Sequence, residues 1–274
     1  MTRLSPAQLD SYRQDGYIVP HYRLAAEKVE RLREALQRVV DANPTIRPEQ
    51  LVSVHIHGLN AEGVHGDRAF LALCQDETIL DMVTQLIGPD IILWGCQAFC
   101  KPQGDGMEVP FHQDGHYWPI RPLATCTAWV ALDHSTKENG CLRLVPGSHR
   151  GQRLVEHQHD RRDGLTLNRR VSDAQLTEAE ARAVDIELEP GQMSLHDIYM
   201  VHGSNPNRSG RRRAGIAIRY MPATSHFRRD LIPTSSKSGY KVDFATRPLW
   251  LLRGSDRTGK NDFEIGHVRA AETA

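Results

Sequence analysis

Residues 111–120 read FHQDGHYWPI, with His112, Asp114 and His116 inside five positions and Tyr117 and Trp118 directly behind them. Imidazole nitrogens and carboxylate oxygens are donors that first-row divalent metals accept. In an extended strand, residues two apart project to the same side, so His-x-Asp presents an imidazole and a carboxylate together, with Gln113 turned away. Taken alone, such a pair is weak evidence for a metal and more often a hydrogen-bonded couple at a strand end. A second histidine from elsewhere would complete a two-histidine, one-carboxylate face with its opposite positions open. The stretch SLHDIYMVHGSNPNRSGRRRAGIAIRY offers His196 and His202. His202 closes an apolar run and precedes Gly-Ser-Asn-Pro-Asn, a turn composition that sets the ring at a strand end. Beyond the turn, Arg213, Gly215, Ala217 and Arg219 alternate along a further strand and share one face. A guanidinium pointing inward among small residues needs a planar anion, and its fork suits a carboxylate. Arg211 and Arg212 read as solvated residues of the turn.

These groups need elements to hold them. Ser5 and Gln8 make the Ser-x-x-Gln pattern of a capping box and open a short helix that ends near Gly16. GYIVP then reads as a strand. Residues 26–42 place Val29, Leu32, Leu36 and Val39 or Val40 on one helical face, and residues 77–87 repeat the pattern until Gly88 and Pro89 stop it. From Asp90 the texture changes to short β runs broken by Gly, Pro and Asn: IILWGCQAF, ATCTAWVAL, CLRLV, VDIELE, QMSLHDIYMV and AGIAIRYM. Strands at this spacing predict a sandwich or barrel. The expected organisation is one domain over 1–274, mainly β with flanking α-helices: helices over about 1–89, a β core over about 90–225 and a C-terminal tail over 226–274. The polar segment 150–183 reads as an excursion between strands that serves as a lid.

Composition narrows the function classes. The 274 residues suffice for a substantial core, and 34 basic residues balance 34 acidic ones, so no net charge steers the chain to nucleic acid or an anionic membrane. No apolar stretch is long enough to span a bilayer, and the N-terminal MTRLSPAQLD lacks the apolar run of a signal peptide. Five scattered cysteines without a CxxC pair suggest reduced thiols and a cytoplasmic protein. The expected partner is a small molecule; the oligomeric state stays open.

Taken together, DGYIV, the KP before the His-x-Asp, FHQD, WVALD, ENGCLRLVPGSH and HGSNPNRS followed by an arginine resemble the phytanoyl-CoA dioxygenase family of Fe(II)/2-oxoglutarate oxygenases. The resemblance covers nearly the whole chain and implies a double-stranded β-helix, a jelly roll of cupin type. It implies Fe(II) held by His112, Asp114 and His202, with 2-oxoglutarate and O2 as co-reactants. Arg213, eleven residues past the distal histidine, matches the clamp on the far carboxylate of 2-oxoglutarate, and Ser204 a hydroxyl on the same group. Trp129 matches an aromatic wall of that pocket and Gln97 a polar cosubstrate contact. His196 matches no ligand and reads as a neighbour of the site. Halogenating relatives carry a small residue in place of the carboxylate, so Asp114 implies oxygen insertion. The implied reaction couples decarboxylation of 2-oxoglutarate to succinate and CO2 with hydroxylation of an unactivated C–H. For the substrate, Tyr117 and Trp118 offer ring faces to an ammonium group, and Arg121 and Arg219 offer charge to a carboxylate or phosphonate. His116 joins the pocket or its hydrogen bonds rather than the metal. These residues suit a small polar, zwitterionic metabolite. An acyl-CoA or natural-product oxygenase, a non-oxidative cupin-type metalloenzyme and a non-catalytic sensor are the alternatives.

Overall fold

A computed structural model describes residues 4–231 and 242–267. Two antiparallel sheets face each other. The larger runs in the order Tyr17–Ile18, Met193–Asp197, Cys126–Ala131, Arg213–Pro222, Ile91–Lys101, Trp250–Arg253, with Leu51–Val52 also paired to Ile91–Lys101. The smaller runs Val184–Ile186, Leu142–Leu144, Val201–Ser204, Val109–Gln113. Apart from the short strand Ile120–Arg121, which pairs with His226–Phe227, the chain alternates between the two sheets from residue 91 to 144 and again from 184 to 222, which is the winding of a double-stranded β-helix.

Strand alternation divides the larger sheet into two faces. Ala214, Ile216, Ile218 and Tyr220 are buried with Cys126, Ala128, Val130, Met193 and Leu195 against the helices, whereas Arg213, Ala217 and Arg219 turn to the cavity between the sheets. The helix Ala26–Ala42 supplies Val29, Leu32, Leu36 and Val39 to this outer layer, and Glu77–Ile87 supplies Ile79, Leu80, Met82 and Val83. The first helix, Pro6–Asp15, is closed by the expected capping box: Ser5 Oγ accepts from the Gln8 amide at 3.2 Å and Gln8 Oε1 accepts from the Ser5 amide at 2.9 Å.

The strand Ile91–Lys101 breaks its own alternation once. Arg219 is level with Gly95 and Tyr220 with Leu93, so Trp94 is an extra residue, a bulge. Leu93 and Cys96 both face the helices in consequence, and Trp94 is aimed into the cavity.

Three elements differ from the sequence reading. QMSLHDIYMV is not one strand but two, Met193–Asp197 and Val201–Ser204, because Asp197 Oδ1 accepts from the Tyr199 amide at 2.8 Å and turns the chain from one sheet into the other. The excursion holds its own hairpin, His157–His159 with Arg169–Val171, and a helix, Asp173–Arg182. Its polarity is internal pairing: Asp160 is buried between Arg162, at 2.7 Å, and Arg170, at 3.3 Å. The expected tail is structural where it is described, with Trp250–Arg253 an edge strand of the larger sheet and Val242, Phe244 and Arg247 lining the cavity. Residues 232–241 and 268–274 of that segment lie outside the described residues.

Candidate active site

Between the sheets lies a cavity of about 420 Å³. His112, the last but one residue of the strand Val109–Gln113, is level with His202 on the neighbouring strand, their ring centroids 4.3 Å apart. Asp114 does not continue the strand; it opens a single turn of 3₁₀ helix that swings its carboxylate back toward the two rings. Gln113 turns away, and its amide joins Tyr199 O at 2.7 Å and Arg153 O at 3.1 Å, fixing the turn from behind.

The protonation pattern of the three residues is that of a metal site. His112 Nδ1 lies 2.8 Å from Pro110 O, and His202 Nδ1 lies 2.9 Å from Met200 O. A carbonyl only accepts, so each Nδ1 carries the hydrogen and each Nε2 keeps a lone pair. Those Nε2 atoms stand 3.5 Å and 4.0 Å from the two Asp114 oxygens. One donor atom from each residue lies within 4.8 Å of the others, all three residues buried. Burial, and then His112 beside it, lowers His202 to about 3, so the imidazole stays neutral. Burial raises the Asp114 carboxyl, but His202, His112 and Arg219 outweigh it and bring it down to about 2. Two neutral imidazoles and one carboxylate converging on one point fit a divalent cation.

Arg213 is 2% exposed and lies across the Trp129 ring, 5.2 Å from its centroid. Its Nε and Nη2 donate to Gly140 O at 3.1 Å and 2.9 Å, and Nη1 to Phe99 O at 3.2 Å. Gly140 holds a left-handed φ of 77°, and a side chain there would meet Asn205 O at 2.3 Å, so only glycine offers its carbonyl in this place. Gly215 leaves room for Trp129 in the same way, since a Cβ would come within 2.1 Å of the indole. Burial lowers the guanidinium to about 10, which leaves it charged. Beside it stands a residue to which the sequence reading gave no role. Lys101, 1% exposed, is level with Arg213 and donates to Ser204 Oγ at 2.7 Å and to Asn205 O. Burial, and then Arg213, pulls its ammonium well below the usual range. Neither Lys101 nor Arg213 has a carboxylate within ion-pairing distance among the described residues.

Ser204, Trp129, Gln97, Tyr117, Trp118 and Arg219 line the same cavity. His196 lines it too, with its ring 5.1 Å from that of His202 and outside the group of three donors. Two expected residues stand elsewhere. His116 is not among the cavity residues: its ring stacks on His157 at 4.2 Å, because the 3₁₀ turn that brings Asp114 inward carries position 116 toward the hairpin. Arg121 is exposed and donates to the Trp118 and Ile120 carbonyls at 3.1 Å and 2.7 Å; alternation in Ile120–Arg121 buries the isoleucine and sends the arginine out.

Residues 12–215 match the family model for phytanoyl-CoA dioxygenase (PhyH). The chain belongs to the phytanoyl-CoA dioxygenase family. It is an iron(II)- and 2-oxoglutarate-dependent dioxygenase, with O2 as co-reactant. Peroxisomal phytanoyl-CoA dioxygenase of Bos taurus is 26% identical over 92% of this chain and 82% of that one. An ectoine dioxygenase of Bordetella parapertussis is 25% identical over 79% of this chain and 75% of its own. Among solved structures, the apo form of the non-heme monooxygenase ThoJ superposes with a TM-score of 0.68 at 25% identity, covering 93% of this chain and 86% of that one. Among the described residues no helix is long and apolar enough to cross a membrane.

Proposed function

We propose that this member of the family hydroxylates an unactivated C–H bond of a small polar metabolite inside the cavity. His112 Nε2, His202 Nε2 and one Asp114 oxygen hold the iron, and Arg213 and Ser204 hold the far carboxylate of 2-oxoglutarate. Bound iron, 2-oxoglutarate and O2 together supply the oxidising power and release succinate and CO2. The protein's own contribution is positional. Two carbonyls fix the histidine tautomers, Trp129 stacks the clamp arginine, and the sheets exclude water from the metal. Asp114 fills the carboxylate position, which supports hydroxylation over halogenation.

The observation that carries this reading is the Arg213 end. A buried guanidinium and a buried lysine without an acidic partner are costly unless an anion arrives. The cavity volume supports a small substrate: about 420 Å³ holds the cosubstrate and a compact second molecule, whereas most of a CoA thioester would lie outside. The name of the ectoine dioxygenase relative points the same way, and those of the phytanoyl-CoA dioxygenases toward the larger substrate.

The test is anaerobic addition of Fe(II) and 2-oxoglutarate, which gives a weak visible charge-transfer band when the keto acid chelates the metal. His202→Ala abolishes the band and succinate formation; His196→Ala keeps the band. The reverse pattern overturns the ligand assignment.

A further inference from the structure

We propose that His157 is a positioning residue for the metal: with Val155 it fastens the excursion to Gln113, between the ligands His112 and Asp114, so that metal binding and the anchoring of this segment are coupled. The proposal rests on the ligand assignment above. It gives the excursion a part in the metal site, in place of the lid expected from the sequence.

The first support is an open sheet edge. Val109–Gln113 is the end strand of the smaller sheet, paired on one side with Val201–Ser204. Backbone groups along its other side need partners, and the excursion brings them at both ends. Just before the strand, the Glu108 amide donates to Gly164 O at 3.0 Å, and Glu108 O accepts from the Thr166 amide at 3.0 Å. At the far end, the Gln113 amide donates to His157 Nε2 at 3.1 Å. That N–H lies in the rigid peptide plane that joins His112 to Gln113. Its direction sets how His112 is presented and where the chain departs for Asp114.

The second support is that the contact closes on itself. His157 Nδ1 lies 2.9 Å from Val155 O, and the Val155 amide donates to Gln113 Oε1 at 2.7 Å. The carbonyl only accepts, so Nδ1 carries the hydrogen and Nε2 presents the lone pair that the Gln113 amide needs. Burial lowers His157 to about 4, which keeps the ring neutral. Three hydrogen bonds thus form a ring through residues 113, 155 and 157. Gln113 is fully buried, and its side-chain nitrogen donates to Arg153 O and Tyr199 O. Of its partners, Arg153, Val155 and His157 all belong to the excursion.

The third support lies on the other side of Asp114. The His157 ring stacks on His116 at 4.2 Å with 12° between the planes, and His116 ends the 3₁₀ turn that Asp114 opens. One residue on, Tyr117 Oη donates to Arg169 O at 3.2 Å, on the second strand of the same hairpin. Asp114 is therefore flanked before and behind by contacts with the hairpin. The excursion also lines the cavity through Thr166 and Leu167, so it joins the pocket wall to the metal strand.

The experiment uses the full chain without oxygen. Fe(II) is titrated in saturating 2-oxoglutarate against the charge-transfer band, and the melting temperature of each metal-free variant is recorded beside it. His157→Phe keeps a ring for His116 and removes the acceptor; it raises the apparent Kd for Fe(II) by roughly ten-fold or more. His157→Gln, whose amide oxygen takes the place of Nε2, recovers most of that loss. A merely structural role lowers both melting temperatures and leaves Kd unmoved in the folded protein, and that result overturns the proposal. So does a His157→Gln that binds iron no more tightly than His157→Phe. Coupling runs both ways. In the wild type, Fe(II) with 2-oxoglutarate slows hydrogen exchange of the Val155 and Gln113 amides by roughly ten-fold, beyond any change in the helix Glu77–Ile87. Exchange that metal leaves alone refutes the coupling, and this measurement needs no variant to fold. A wild type that gives no band sinks the ligand assignment and the proposal with it; a band with unmoved Kd and exchange sinks the proposal alone.

Discussion

The Arg213 end of the cavity and the Arg219 end each bury a guanidinium against tryptophan, yet they are held by different kinds of partner. Arg213 is tied to backbone carbonyls of Gly140 and Phe99, with Lys101 and Ser204 beside it. Arg219 is held by the Gln97 side chain and two indoles, and its companion Arg247 by a glutamate more than 180 residues away in sequence. Backbone acceptors come with the fold, so an end built on them persists while surface segments change. Side-chain partners, whether on a strand as Gln97 and Trp94 are or on a connecting segment as Trp118 and Glu62 are, can be exchanged one at a time. The contrast fits the roles proposed above, with the cosubstrate at the Arg213 end and the substrate at the other.

The largest effect expected from breaking this contrast is at the backbone-held end. Arg213→Ala raises KM for 2-oxoglutarate by roughly two orders of magnitude, since a charged bidentate contact is lost, and changes KM for the substrate much less. Steady-state kinetics with each reactant varied in turn checks it; equal rises remove Arg213 from the clamp. Lys101→Met is smaller. It frees Ser204 Oγ from its donor, and KM for 2-oxoglutarate rises roughly ten-fold, while the melting temperature holds or increases because an ion buried without an acid is replaced by an apolar chain. A fall of several degrees with unchanged KM would make Lys101 purely structural. Gln97 sharpens the boundary between the ends. Sequence resemblance gives it to the cosubstrate, but its amide oxygen accepts from Arg219. Gln97→Leu therefore moves KM for the substrate several-fold and KM for 2-oxoglutarate less, and the opposite order returns it to the cosubstrate. Smallest of all is the exchange of all five cysteines for alanine. Every thiol is buried, and burial raises Cys100 to about 11 and Cys141 to about 12, so neither of these two is a thiolate at neutral pH. Stability falls with the lost packing and turnover by iron-loaded folded enzyme stays; loss of turnover in such a variant refutes this.

What could be read from the sequence follows from how local each cause is. The helices 26–42 and 77–87 and the strand 213–222 announce themselves through periodicity, because one face of each packs against a continuous core. The three metal-site residues were legible through spacing and motif together. Asp114 comes to face the two histidines by a different route from the alternation that suggested it, since a 3₁₀ turn and not a strand carries it. The helix Asp173–Arg182 escaped notice because it buries only Ala179 and so lacks an apolar stripe. Lys101 sat at the end of an apolar run, where nothing local says whether a lysine turns in or out. Arg247 and Glu62 are the hardest case: their pairing depends on two connecting segments meeting at the cavity, and no local pattern in either records the other. The visible RPLWLLR was still a sign that the last segment was more than a tail.

The bulge at Trp94 separates two things that a regular strand locks together, the number of residues and the side each one faces. On both flanks of it the pairing with Arg213–Pro222 is regular. One residue can therefore be lost there without reversing the faces of the whole strand beyond it. Removing it would withdraw an indole from above Arg219 and leave the register of Gln97 and Lys101 where it is. A family that changes substrates while keeping its metal chemistry has, in such a position, a site where a single-codon deletion redraws the pocket wall and spares the frame.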